Sequence, residues 1–441
     1  MLDIAALLNA APIGETRLNR RALSLVTSII EGHASASHGP EGVGHLHTWA
    51  HAMGAFRFFD NDRLTLPALY APCILGLGQL VLPGQRCFVV HDVSPLDYSR
   101  HQAKNDLVQV GNAGGFGYEL FTSLVLDSGG RPLGPIMQEV RAEQGLLSST
   151  TPLPLPFVDH MTQVERSVQV TDQHLPGREA VHLCDREFDD VLLLRFIQDA
   201  ARKYIIRAQH MGRRVLFQGQ RTILKQVAQQ IVLLRAGDVE RQGKQYELFI
   251  GEARVIFDRD SLRGVARKRH KPRPGNPLEV RLVISELRRP GHDPLRWVLL
   301  TNLDDPAHQI VQAYIYRWRV ERFFYLNKVG LRLEQWRQET GERIGRRLAL
   351  TQLAAMAIYQ MQAAAGEDPE FGDVIKIVAT LGGWLGRKQD PIGPIVLMRG
   401  IALVLGMVSA LEEFGEAKLR EVAARLTQAL GLSPFPRRRS G

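Results

Sequence analysis

The sequence predicts an α/β protein, a mixed sheet flanked by helices with a β-rich insertion and helical regions at both ends. Three patterns carry that expectation. Short apolar runs ending in polar turns mark strands at QRCFVVHDVS (85–94), GYELFTSLVLD (117–127) and PLGPIMQEVRAE (132–143). A strand, helix, strand alternation follows in AVHLCDRE (180–187), FDDVLLLRFIQDAARK (188–203) and YIIRAQ (204–209). From residue 209 the rhythm changes to long alternating runs of the antiparallel kind, until RWVLLTN (296–302) resumes the earlier pattern.

Taken in order, residues 1–75 read as helical. The stretch HLHTWAHAMGAFRFFDNDRLT (45–65) has apolar and aromatic residues at helical spacing, Arg57 among them, and Asp60-Asn61-Asp62 offers a stop. Residues 76–208 form the first part of a core. Its strands begin after Pro83-Gly84, and Ser128-Gly129-Gly130 makes a hairpin turn. A polar, Pro-rich stretch (150–178) carries no assigned element. Three hairpin-connected strands followed by strand, helix and strand give the order of a ribonuclease-H-like core. Residues 209–294 are the β-rich insertion, in which QYELFIGEARVIFDRD (245–260) and NPLEVRLVISELRR (276–289) flank an exposed, strongly basic loop, RGVARKRHKPRPGN (263–276). Residues 295–366 return to the core, helical from about 306 to 365. Residues 367–441 read as weaker helices ending in PFPRRRSG, for which disorder is expected.

The chain has 441 residues, 45% hydrophobic and 23% charged, enough for a large buried core. A net charge of +9 and a pI near 9.6 favour a polyanionic partner. Cys73, Cys87 and Cys184 are too scattered for a disulfide framework or a zinc site and read as buried thiols in a reducing compartment. MLDIAALLNAAPIGETRLNRRALS lacks the basic start of a signal peptide. The apolar segment Leu348 to Ala365, interrupted by Gln352, Gln360 and Gln362, reads as a buried helix rather than a membrane span. No membrane association and a cytoplasmic, nucleoid-associated location are expected.

Chemistry is concentrated in three acids. Asp92 and Asp185 each end an apolar strand, where a carboxylate can be held rigidly at the sheet edge. Two such groups at neighbouring strand ends repel each other and call for a cation between them. Oxygen-only ligation suits Mg²⁺ or Mn²⁺. Glu187, Asp189 and Asp190 compete for the second position, although they fall in the first turn of the next helix, where acids complement its dipole. The third acid lies on VQAYIYRWRVERFFYLNK (311–328). There Tyr314, Arg317, Glu321 and Lys328 share one helix face, so that a phenol, a guanidinium and an ammonium flank a carboxylate. That set suits a metal-bound phosphodiester. Simpler roles stay open: Arg317 and Lys328 as ion pairs of Glu321, and Tyr314 as a core residue. His45, His47 and His51 have no Cys or carboxylate at ligand spacing, which disfavours zinc.

The spacing Tyr-x2-Arg-x3-Glu-x6-Lys at these residues resembles the signature of the insertion-sequence-four family of DDE transposases. Similar stretches run in order along most of the chain: AFRFFDN (55–61), HDVSPLDYSRHQ (91–102), CDRE (184–187), PLRWVLLTN (294–302), YRWRVERF (316–323) and LGGWLGRKQDPIG (381–393). The resemblance implies a transposase that cleaves transposon ends and transfers the freed 3′-hydroxyl into target DNA, with a hairpin intermediate as one route. Asp92, Asp185 and Glu321 would hold two Mg²⁺ ions, with Mn²⁺ as substitute. Tyr314, Arg317 and Lys328 would orient end phosphates. Trp297 and Trp318 would stack on a base flipped from the duplex, unless they are core residues. Arg57 in a DNA-binding N-terminal region, and Arg267, Lys268, Arg269 and Lys271 in the basic loop, would contact double-stranded DNA. Residues 367–441 would join two subunits into a homodimer on two inverted-repeat ends. Two other readings remain: a catalytically silent, transposase-derived DNA-binding regulator, and a ribonuclease-H-like nuclease without strand transfer.

Overall fold

The structure is a computed structural model that describes residues 2–32, 49–111, 114–260, 274–367, 369–386 and 391–429. Four helices come first: α1 (Ile4–Ala10), α2 (Thr16–Gly32), α3 (Trp49–Phe59) and α4 (Leu66–Leu80). Thr65 caps α4, accepting a hydrogen bond from the backbone N–H of Ala68. Then come β1 (Arg86–Asp97), β2 (Val108–Val110), β3 (Gly115–Leu126), β4 (Pro132–Ala142) and β5 (Gly145–Ser148), which pair antiparallel in succession, with β2 lying on β3. After α5 (His160–His174), the chain forms β6 (Glu179–Cys184), α6 (Val191–Asp199) and β7 (Lys203–Arg207). β6 lies parallel to both β1 and β7. The central order is therefore β4-β3-β1-β6-β7.

Helices cover both faces of this sheet, which is why β3 and β4 are buried along nearly their whole length. Adjacent strand residues point to opposite faces. On β4, Gln138 accepts a hydrogen bond from the Tyr70 hydroxyl of α4 at 2.6 Å, whereas the neighbouring Glu139 is held by Gln163 and Arg166 of α5. So α4 and α5 lie on opposite sides. The α5 helix falls inside the polar, Pro-rich stretch for which no element was expected. Asp159 caps it through the N–H of Thr162 at 2.9 Å, and Val164, Val168 and Thr171 form its buried stripe.

The insertion adds β8 (Arg214–Phe217), β9 (Gln220–Ile223), α7 (Leu224–Gln230), β10 (Leu234–Arg241), β11 (Lys244–Arg259) and β12 (Pro274–Arg288), followed by β13 (Leu295–Thr301). These strands do not form a separate sheet. β13 pairs antiparallel with β7 on one side and with β12 on the other, so the thirteen strands among the described residues make one sheet. The chain then forms α8 (Ala307–Tyr316), α9 (Arg319–Tyr325), α10 (Gly341–Glu367), α11 (Pro369–Leu381) and α12 (Pro394–Ala429). As expected, the apolar run after Leu348 is a core helix. In α10, Leu348, Ala349, Leu350, Leu353, Ala354 and Ile358 are buried, and the helix packs on α2, α4 and β4. Cys73, Cys87 and Cys184 are buried free thiols. Among the described residues no single helix is long and apolar enough to cross a membrane.

Candidate active site

β1 and β6 are hydrogen-bonded side by side as far as His91 and Cys184. The next residues are Asp92 and Asp185, so both acids project where the two parallel strands part. This is the crevice that open α/β sheets use for ligands. The expectation that Asp92 ends its strand needs correction. β1 continues on β3 through Asp97, with Asp92 opposite Thr122. Only the pairing with β6 stops at His91, because β6 itself ends at Cys184 and turns into a short 3₁₀ segment, Arg186–Phe188.

Beneath the acids, His91 is hydrogen-bonded to Ser123 and to His182, each at 2.9 Å, and the two rings stack at 5.2 Å. Burial pushes His91 well below its usual range and His182 to about 3, so the pair is neutral and acts as polar packing. The competitors for the second acid separate cleanly. Asp189 is buried and accepts from Arg213 and from the backbone N–H groups of Gln209 and His210, which ties the turn after β7 to the core. Asp190 caps α6 through the N–H of Leu193. Glu187 stays near the acids; burial raises its carboxyl, and the neighbouring Asp185 adds to the rise while His160 opposes it.

The expected continuous helix over 311–328 is not continuous. α8 ends at Tyr316, Arg317 and Trp318 form a link, and α9 starts at Arg319. A π-helical turn then spans Leu326–Gly330. Tyr314, Arg317 and Glu321 still meet at the acids, and only Lys328, inside the π-helical turn, leaves the face the four were expected to share. Arg317 points its guanidinium at all three acids: 2.6 Å to Glu321, 3.4 Å to Asp92 and 3.8 Å to Asp185. The Tyr314 hydroxyl donates to Asp185 at 3.1 Å. Lys328 lies elsewhere, donating to the carbonyl oxygen of Pro95 and pairing with Glu334 at 3.3 Å. It is therefore not an ion pair of Glu321, although it braces the end of β1 beyond Asp92.

A second guanidinium, Arg207 at the end of β7, stands 3.8 Å from Asp185. The sequence reading missed it, yet a basic residue closing the strand next to the Asp185 strand was a usable signal. Burial lifts the Asp92 carboxyl to about 7 against the opposing pull of Arg317. Burial of Arg317 works against its charge, but the surrounding acids outweigh it and hold the guanidinium above its ordinary value. Four carboxylates (Asp92, Asp185, Glu187 and Glu321) thus face two guanidiniums, and negative charge is left over.

Trp297 and Trp318 both border this crevice. Trp297, on β13, is 7% exposed and packs edge-on against Tyr314 at 5.2 Å, so core packing is its role as the chain stands. Trp318 is half-buried in the helix link. Arg241, at the end of β10, lies over both indoles at 5.8 and 5.5 Å, a contact with no sequence signal because a β insertion delivers it. Arg57 is exposed in the last turn of α3. Arg267, Lys268, Arg269 and Lys271 of the basic loop lie outside the described residues, as do His45 and His47.

Among the described residues, no group of three His, Cys, Asp or Glu side chains is gathered closely enough to hold a metal ion as it stands. The donor set still fits a hard divalent cation: all the ligating atoms are carboxylate oxygens, their charge is under-compensated, and they converge on one positive group. Asp92, Asp185 and Glu321 are partly exposed, at 16%, 26% and 34%, which leaves carboxylate surface open to solvent.

Fold and crevice together define a mixed α/β protein with an acid-lined site at the ends of parallel strands. Residues 158–357 match the family model of the transposase DDE domain, which supports a DDE transposase. The matched segment holds Asp185, Tyr314, Arg317 and Glu321, and begins downstream of Asp92. Among solved structures, the chain is similar to one described as the piggyBac transposase synaptic complex with hairpin DNA, at 11% identity and a TM-score of 0.37, covering 96% of this chain and 77% of that one.

Proposed function

We propose that this chain is a DNA transposase of the insertion-sequence-four type, resembling the transposon-five transposase, with a ribonuclease-H-like core. It would nick double-stranded DNA at transposon ends and transfer the freed 3′-hydroxyl into target DNA, working as a homodimer on two ends. The observation that carries this reading is the convergence of Asp92, Asp185 and Glu321, from β1, the end of β6 and α9, on the single guanidinium of Arg317. The parallel order of β1, β6 and β7 supports the core assignment.

Asp92, Asp185 and Glu321 would hold two Mg²⁺ ions, or Mn²⁺ in their place. Such ions lower the pKa of an attacking oxygen and stabilise the leaving one in phosphoryl transfer. Asp92 would ligate as the carboxylate, so a cation there competes with the proton that burial favours. The Tyr314 hydroxyl fixes the rotamer of Asp185 by donating to one of its oxygens. Arg317 and Arg207 supply fixed positive charge for the non-bridging oxygens of the reacting phosphate. Lys328 positions β1 through Pro95 rather than touching the reacting group. Trp318, the more exposed of the two indoles, is the better stacking surface for an unpaired base, and Trp297 would back it.

The test is Asp92→Asn in the full chain with cognate-end DNA and Mg²⁺. Expected are retained DNA binding by gel shift and cleavage reduced by at least about 10³-fold, the scale on which a catalytic carboxylate contributes. Wild-type cleavage by this variant would overturn the assignment. A wild-type chain that binds ends yet never nicks them in Mg²⁺ or Mn²⁺ would point to the regulator instead.

A further inference from the structure

We infer that Arg317 is a resident cation of the metal-free site: its guanidinium holds Asp92, Asp185 and Glu321 together, competes with divalent cations for the aspartate oxygens, and turns from the two aspartates to a DNA phosphate when those cations bind. The inference rests on the proposed reading of the three acids as cation ligands.

The contacts are unequal, and their inequality indicates the movement. Only the 2.6 Å contact with Glu321 is a tight charge-assisted hydrogen bond. Asp92 at 3.4 Å and Asp185 at 3.8 Å are held mainly by Coulomb attraction. The guanidinium is thus anchored on its own helical neighbour, four residues along, and reaches loosely to the two aspartates from β1 and β6. Breaking the loose contacts costs little directional bonding, while the Glu321 tether keeps the arginine beside the site.

Charge makes the present arrangement necessary. Three carboxylates meeting in a partly buried crevice repel one another, and one delocalised cation with five donors can be shared among them. It supplies one positive charge and Arg207, beside Asp185, a second, against four carboxylates once Glu187 is counted. A divalent ion on the same oxygens would compensate the charge better, but the oxygens cannot face both it and the guanidinium. The backbone stays helical through Arg317 and Trp318, tightened to i→i+3 hydrogen bonds, so the movement belongs to the long arginine side chain. Beyond the acids, the DNA phosphate that the reaction requires would give the displaced guanidinium a new bidentate partner.

Competition and simple orientation predict opposite signs. If Arg317 only oriented the acids, its removal would scatter them and weaken divalent binding. If it competes for them, its removal should tighten that binding even though the free site becomes less stable.

The experiment uses the full-length, chelator-stripped protein without DNA at pH 8. Mn²⁺ is titrated in, with free Mn²⁺ read by electron paramagnetic resonance and thermal stability measured in parallel. Wild type, Arg317→Gln, Arg317→Lys and Asp92→Asn are compared. Arg317→Gln should bind Mn²⁺ about tenfold more tightly than wild type, since one neighbouring positive charge is gone. Its melting temperature should fall in chelator and recover with saturating Mn²⁺. Arg317→Lys, whose point charge cannot bridge three acids, should lie between the two, and it reads the same sign should Arg317→Gln fail to fold. Unchanged or weaker Mn²⁺ affinity in both Arg317 variants overturns the inference while leaving the metal reading intact. Mn²⁺ binding that Asp92→Asn does not diminish, in every variant, overturns the reading of the acids as cation ligands itself.

Discussion

Asp92 is a carboxylate placed where water solvates it poorly, with a shared guanidinium as its only strong cationic neighbour. Its pKa of about 7 in the folded chain, against 3.8 for the ordinary group, has a definite consequence for stability. The folded state holds the Asp92 proton more tightly than the unfolded state does. This group's contribution is therefore most favourable below about pH 4 and is lost progressively as pH rises to about 7. Above that, the metal-free protein carries a charged side chain that burial disfavours. Asp92→Asn removes the charge and keeps the shape. At pH 8 in chelator the variant should melt about 2–4 °C above wild type by scanning fluorimetry, and the gap should close as the pH approaches 4. An unchanged or lower melting point at pH 8 would show that Arg317 already compensates the charge in full. The same substitution is expected to abolish cleavage, so residue 92 would show function held at a cost in stability.

The elements that carry the acids differ in how openly the sequence declares them. β1 and β6 were legible because each is an apolar run that meets an acid, and the strand, helix, strand order of β6, α6 and β7 accounts for the parallel pairing of the last two strands. The turn at Arg317–Trp318 was not legible, because the periodicity of residues 311–328 fits one helix. In the π-helical turn further on, the Asn327 amide donates to the Phe323 carbonyl at 2.8 Å and accepts from Gln352 of α10 at 3.1 Å. Both residues are buried. Asn327→Leu should therefore cost about 1–3 kcal/mol by leaving Gln352 short of a partner, seen as a lower urea midpoint at unchanged slope. Asn327→Leu with Gln352→Leu should recover part of that loss, because replacing both partners avoids the orphan. A double variant as unstable as the sum of the singles would locate the cost in packing instead. The α5 helix escaped the sequence reading for another reason: its buried stripe includes Gln163, Ser167 and Thr171, so the apolar signal was diluted. The displacement of Lys328 was equally hidden, since a π turn shifts every later residue off the face that a regular helix would present.

At the scale of the whole molecule, the single thirteen-stranded sheet gives the β insertion a structural role. β13 carries Trp297, Leu299 and Leu300 in the core, and it meets β7 over only three residue pairs, Leu299 with Arg207, Leu300 with Ile206 and Thr301 with Ile205. Against β12 it pairs over seven, from Arg281 with Thr301 to Leu287 with Leu295. The strand that leads into α8, and so positions Tyr314 and Arg317, is therefore held mostly from the insertion side. Arg281 adds to this, donating to the carbonyl oxygens of Leu303 and Asp305 in the loop before α8. Replacing residues 209–294 with a short turn would strip β13 of its longer ladder and leave an apolar, unpaired edge. The shortened chain is expected to aggregate or to lose cooperative thermal unfolding, rather than to survive as a catalytic core lacking DNA contacts. Size-exclusion chromatography and a melting curve decide it. A soluble, cooperatively melting deletion chain whose Mn²⁺ binding matches the full protein would mean that β7 alone suffices to seat β13. Loss of folding would instead explain why the sheet runs unbroken from the acids to the insertion: the strands that carry Arg241 toward Trp297 and Trp318 are the same strands that keep the helix link of Arg317 in place.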